Sequence, residues 1–136
     1  MSSNLTQSIA IGIVVNHVNE VFIATRPVHT KYGGMLEFPG GKVESNELPE
    51  DALKRELLEE IGLEILKYRL FHIEEKKASS ENKPNVKLYF YLVEEWKNTP
   101  YGKEGQDVKW HIISSLDPKK FPPLNITVIE RLKNLT

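Results

Sequence analysis

Glu56, Glu59 and Glu60 stand at i, i+3 and i+4, a spacing that puts three carboxylates on one face of an α-helix. Like charges so close repel one another unless a cation neutralises them. A hard divalent ion such as Mg2+ does so with oxygen ligands, in an octahedron completed by water and substrate phosphates. Arg55, beside Glu56 and one helical turn before Glu59, can hold a carboxylate bidentately and fix its direction. Gly40 and Gly41 lie just upstream, where backbone without a side chain can come close to a metal or a phosphate. Taken singly, a Glu-Glu pair is most often a solvated face and a Gly-Gly pair a plain turn. The joint spacing is what favours chemistry.

These residues need a helix and something for it to dock on. Pro49 suits a first helical turn, Gly62 suits the C-terminal stop, and Leu63 can fold apolar surface back. Leu53, Leu57 and Ile61 form the stripe adjacent to the carboxylates, fit for packing on a sheet. Ala52, one turn before Glu56, is expected to leave the carboxylate face open. Residues 8–16 alternate Ile9, Ile11, Ile13 and Val15 as a strand does, and 16–19 reads as a hairpin turn into a second strand over 20–26. A loop over 27–34 leads to a short strand at 35–38. Further strands are predicted near 66–75, 86–95 and 108–114, with a final helix over 125–134. The polar stretch 76–85 reads as a flexible loop over the site. This mixed order fits an α+β fold, or an α/β/α sandwich around a mixed sheet.

The chain, residues 1–136, is long enough for one domain with a real core and shows no repeat or linker that would divide it. It has no cysteine, which excludes disulfides, thiolate metal sites and cysteine nucleophiles and fits a cytoplasmic location. The longest apolar run, 9–15, is too short to span a membrane. Net charge is −1 with both signs interspersed, so the basic footprint of a polymeric nucleic-acid binder is missing, whereas a small anionic substrate held through metal is compatible. His17, His29, His72 and His111 are scattered without ligand spacing and read as structural or exposed.

Position for position, the window 41–63, GKVESNELPEDALKRELLEEIGL, matches the Nudix box G-x5-E-x7-R-E-U-x-E-E-x-G-U, where U is a bulky aliphatic residue. The matched residues are Gly41, Glu47, Arg55, Glu56, Leu57, Glu59, Glu60, Gly62 and Leu63. The chain thus resembles the Nudix hydrolase superfamily. Within it, the chain is similar to the MutT branch, the 8-oxo-dGTP diphosphatases. Three outer segments carry that closer likeness: L-E-F-P-G-G-K at 36–42, Y-G-K-E-G-Q at 101–106 against the branch's W-G-K-E-G-Q, and F-P-P-L-N at 121–125 against F-P-P-A-N. With the aromatic strand L-Y-F-Y-L-V-E at 88–94, the likeness covers nearly the whole chain.

The resemblance implies a Nudix fold and Mg2+-dependent (or Mn2+-dependent) hydrolysis of 8-oxo-dGTP to 8-oxo-dGMP and pyrophosphate. Such an activity sanitises the nucleotide pool and avoids mutation. A monomer acting on a small nucleotide is expected, and charge and apolar-run length point to neither polymeric nucleic acid nor membrane as partner. Carried over residue by residue, Glu56, Glu59, Glu60, the carbonyl of Gly40 and the carboxylate of Glu104 bind the metal. Glu47 supports the loop–helix arrangement or a further metal. Glu56 is the leading candidate for the base, with Arg55 beside it. Arg26 lies near the triphosphate end, Lys42 contacts substrate, Asn125 reads the edge of the oxidised guanine and Phe38 is a base-pocket aromatic. By residue type alone, Asn125 could equally be an N-cap, Phe38 core, and Arg26 and Glu104 solvated charges.

Two positions depart from the branch. Its arginine before the aromatic strand is replaced by Lys83-Pro84, and a point charge is not an arginine fork. The threonine that would cap the box helix is Leu48, a loss of about 1 kcal/mol in helix stability unless another group caps it. The alternative function is another Nudix pyrophosphohydrolase, acting on CTP or another nucleoside triphosphate, a dinucleoside polyphosphate or ADP-ribose. A nucleotide sensor that binds without cleaving is disfavoured, because such domains usually lose box carboxylates and this chain keeps them all.

Overall fold

The computed structural model describes residues 5–135. Seven strands and two α-helices follow in the order β1 (Thr6–Val14), β2 (Glu20–Thr25), β3 (Leu36–Glu37), β4 (Gly40–Lys42), α1 (Pro49–Ile61), β5 (Glu64–Lys76), β6 (Asn85–Lys97), β7 (Val108–Ile112) and α2 (Ile126–Lys133). One sheet has the order β4-β1-β6-β5, with β1 parallel to β6 and antiparallel to β4; the other, β3-β2-β7, is antiparallel.

The alternation along β1 divides the core in two. Ala10 and Val14 join Tyr91 and Val93 of β6 against Ala52, Leu53, Leu57 and Ile61 of α1. Ile11 and Ile13 face the other way, with Leu88, Phe90 and Leu92 of β6, onto Val128, Ile129 and Leu132 of α2. A strand buried on both faces reads as a near-continuous apolar run, which is why 9–15 has so few polar residues. The result is an α/β/α sandwich, with the mixed β4-β1-β6-β5 sheet between α1 and α2.

The structure departs from the sequence reading at several places. The 16–19 turn forms, with Asn16 Oδ1 accepting from the N–H groups of Val18 and Glu20 and Asn19 at φ 60°. Its two strands nevertheless part into different sheets, joined only by a bridge between Val15 and Val21 among the described residues. Gly40–Lys42, given no element in the sequence reading, is a strand paired with the edge of β1. Ala52, expected to leave the carboxylate face open, is fully enclosed in the α1-side core. The exposed 77–84 turn closes the β5–β6 hairpin and borders a cleft of about 370 Å³ lined by Thr6, Ser8, Lys76 and Lys87, with none of the box carboxylates in its wall.

Candidate active site

Leu48, the N-cap of α1, offers no side-chain cap; the helix opens on Pro49, which has no N–H to satisfy, with Glu50 and Asp51 in its first turn. It stops at Gly62, whose φ of 67° is left-handed; the N–H groups of Gly62 and Leu63 return to Leu58 and Leu57. The stripe Leu53, Leu57 and Ile61 is buried, which turns Glu56 and Glu60 toward β4 and leaves Glu59 more than half exposed.

Arg55 organises the start of this face. Its Nε and Nη2 hold both oxygens of Glu47 at 2.9 Å, a bidentate pair that ties the 43–48 loop to the helix. Nη1 donates to Glu56 Oε1 at 2.9 Å, and Nη2 also reaches the Lys42 carbonyl at 3.0 Å. The bidentate partner is therefore Glu47 rather than a box carboxylate on the helix itself. The Arg55 guanidinium, followed by the Glu44 N–H, holds the Glu47 carboxyl down at about 2, and Glu47 in turn raises Arg55 above its ordinary value.

Gly40 and Gly41 bring β4 against these carboxylates. The Gly40 N–H donates to Glu60 Oε2 at 2.8 Å, and a Cβ at Gly41 would collide with the Glu56 carboxylate. Burial pushes Glu60 up to about 8, against the downward pull of the Gly40 N–H, and the charges of Glu56, Glu104 and Glu37 push the same way as burial.

Glu104 arrives from the far end of the helix. The Tyr101 and Lys103 N–H groups donate to the carbonyls of Ile61 and Glu60, and Gln106 Nε2 donates to the Glu60 carbonyl at 2.9 Å. These donors serve the C-terminal carbonyls of a helix with no basic residue in its last turn.

The remaining candidates are more dispersed. Arg26 pairs with Glu37 at 2.7 Å and donates to the Lys31 carbonyl. Lys42 is exposed at the end of β4. Phe38 is 5% exposed, stacked on Phe121 and edge-on to Phe90, so it stands in the core. Asn125 occupies the N-cap position of α2 but makes no side-chain cap; its Nδ2 donates to the Pro122 carbonyl instead. His17 and His29 are exposed. His72 bridges Glu74 and Arg131, and burial lowers His111. Sequence reasoning missed Glu37 and Gln106 as members of the site. Both lay inside the matched outer segments, and only their contacts single them out.

The donor set suits a hard divalent cation. It is all oxygen, the absence of a side chain at Gly41 lets the Glu56 carboxylate pack against the backbone, and Glu60 carries excess negative surroundings that a cation would relieve. Among the described residues no three carboxylate or imidazole side chains are gathered closely enough to hold a metal ion by themselves.

The NUDIX domain model matches residues 6–132. An 8-oxo-dGTP diphosphatase of Escherichia coli strain K12 is 43% identical over 127 residues, 93% of this chain and 96% of that protein. One from Haemophilus influenzae is 41% identical over 128 residues, covering 94% and 92%. A solved structure from work on MutT of Aliivibrio salmonicida and Vibrio cholerae superposes with a TM-score of 0.81 at 35% identity, over 96% of this chain and 99% of the other. With the box, the sandwich and these likenesses in agreement, the chain belongs to the Nudix family of hydrolases.

Proposed function

We propose that this chain hydrolyses 8-oxo-dGTP to 8-oxo-dGMP and pyrophosphate with Mg2+, replaceable by Mn2+, and so clears an oxidised nucleotide from the DNA precursor pool. The reading is carried by a complete set of box carboxylates, with Glu47 and Glu56 held by Arg55 and Glu60 by the Gly40 N–H, in a chain about 40% identical over nearly its full length to enzymes of that activity. Glu56, Glu59 and Glu60, the Gly40 carbonyl and the Glu104 carboxylate would hold the cation. Bound there, it would lower the pKa of water, neutralise phosphate charge and orient the substrate.

Glu56 takes the proton of the attacking water. The water oxygen bonds to the β-phosphorus, the bond from that phosphorus to the α–β bridging oxygen breaks, and its electron pair leaves with 8-oxo-dGMP. We assign Glu47 to fastening loop to helix rather than to a further cation, because both its oxygens are engaged by Arg55. Arg26 and Lys42 supply positive charge toward the triphosphate, and Phe38 backs the base pocket from the core. Asn125 reads the edge of the oxidised base; its side chain makes no capping bond, and its Nδ2 donates to the Pro122 carbonyl.

Among the described residues no helix is long and apolar enough to cross a membrane. We place the activity in the cytoplasm, as a monomer. Lys83-Pro84, in place of an arginine fork, favours a second reading in which the nucleotide range is broader and includes CTP.

Hydrolysis of 8-oxo-dGTP in 18O-labelled water tests the reaction. Labelled pyrophosphate with unlabelled 8-oxo-dGMP is expected. Release of orthophosphate, or label in the monophosphate, would contradict attack at the β-phosphorus.

A further inference from the structure

Residues 101–106 are where the acidic end of α1 meets a distant segment of chain. The Tyr101 N–H donates to the Ile61 carbonyl and the Lys103 N–H to the Glu60 carbonyl, each at 3.1 Å, and Lys103 Nζ lies 3.4 Å from the Leu58 carbonyl. Gln106 does something different, because its side-chain amide uses both ends. Nε2 donates to the Glu60 carbonyl at 2.9 Å, and Oε1 accepts from the Glu104 N–H at 2.9 Å. One planar amide thus joins the backbones of two residues whose carboxylates act on each other. The Gly105 N–H closes the turn onto the Gly102 carbonyl at 3.0 Å, and a Cβ at Gly102 would collide with the Gln106 carbonyl.

Glu104 is exposed on this turn. On an unanchored loop its carboxylate would be spread over many positions, and ordering it would oppose cation binding by the entropy lost. Anchoring it beforehand removes that opposition. Partners that hydrogen-bond a metal ligand directly commonly change affinity by about 10–100-fold when removed, and a backbone anchor of the ligand residue acts in the same direction at the lower end of that range.

We propose that Gln106 is a positioning residue for the cation site: by bonding the Glu60 carbonyl and the Glu104 N–H together, it holds the Glu104 carboxylate ready for the divalent cation bound by α1. This rests on the reading of Glu104 as a cation ligand. It adds to that reading a residue that need touch neither cation nor substrate.

The test is Mn2+ titration of the full chain without nucleotide, followed by electron paramagnetic resonance of the free ion. The proteins are the wild type, Gln106→Leu, Glu104→Gln and the double variant, with circular dichroism confirming the fold. Gln106→Leu is expected to raise the Mn2+ Kd about tenfold. Glu104→Gln is expected to raise it at least as much, and the double variant to bind no more weakly than Glu104→Gln alone. Gln106→Asn, a methylene too short to span both partners, is expected to follow Gln106→Leu and serves if the leucine variant does not fold. An unchanged Kd in the folded Gln106 variants, or losses that simply add in the double variant, would overturn the proposal and leave Glu104 a ligand. An unchanged Kd in Glu104→Gln would instead remove the ligand reading, and this proposal with it.

Discussion

Glu56 and Glu60 share a face of α1, yet they are prepared for different tasks. Glu56 is oriented through Oε1 by Arg55, as a base must be oriented toward the proton it takes. Glu56→Gln keeps that acceptor and removes the basicity, so kcat is expected to fall about 10²–10⁴-fold with the fold intact. An unchanged kcat would remove Glu56 from the role. Glu60 is held up at about 8, first by burial. Without metal, folding therefore retains a proton that the unfolded chain releases near 4.5. This group's contribution to stability is full at low pH and is lost as pH rises toward about 8. Cation binding must expel the same proton, so Mn2+ affinity is expected to rise with pH up to about 8 and then level off, a trend that Glu60→Gln should abolish. Calorimetric Mn2+ titration of the wild type and the Glu60→Gln variant across pH 6–9 reads the trend in affinity, and a flat profile in the wild type would contradict the assignment. The sequence showed that these carboxylates share a face. It could not show that one is oriented and the other desolvated, because both properties come from residues distant in the chain.

At the scale of elements, α1 and β4 form one unit. A Cβ at Gly41 would displace the Glu56 carboxylate that lies against its backbone. Gly41→Ala is therefore expected to weaken Mn2+ binding and kcat while circular dichroism stays unchanged; wild-type activity in that variant would deny the close approach. The uncapped start of α1 leads to a separate expectation. Leu48→Thr should stabilise the protein by about 1 kcal/mol, read as a raised Tm, with kcat unaffected. The helix was legible because Pro49, the 53/57/61 stripe and Gly62 mark its start, face and end locally. β4 was not, since Gly-Gly-Lys has no apolar alternation and becomes a strand only by pairing with 9–11 of β1. β5 was placed short, as 66–75 rather than Glu64–Lys76. Register shifts between 65 and 72 break its alternation and leave Leu66 and Leu70 about half exposed.

In the whole molecule, the sandwich matters because it brings together four segments that no local pattern joins. β1 lies parallel to β6 along its length, and the core divides between α1 and α2 on either side. That arrangement puts 36–42, 47–60 and 101–106 at one site, with 121–125 on the α2 side of the sheet, where Phe38 stacks on Phe121. The family and its layers were readable from the box and the outer segments. The pairing of β1 with β6 and the parting of β1 from β2 were not, because strand partners are chosen by non-local packing. Steady-state kcat/KM with Mg2+ for 8-oxo-dGTP against dGTP, CTP and ADP-ribose tests the central claim most directly. A large preference for 8-oxo-dGTP is the expected result. Equal turnover of dGTP, or faster cleavage of CTP or ADP-ribose, would contradict the assignment while leaving the Nudix chemistry in place.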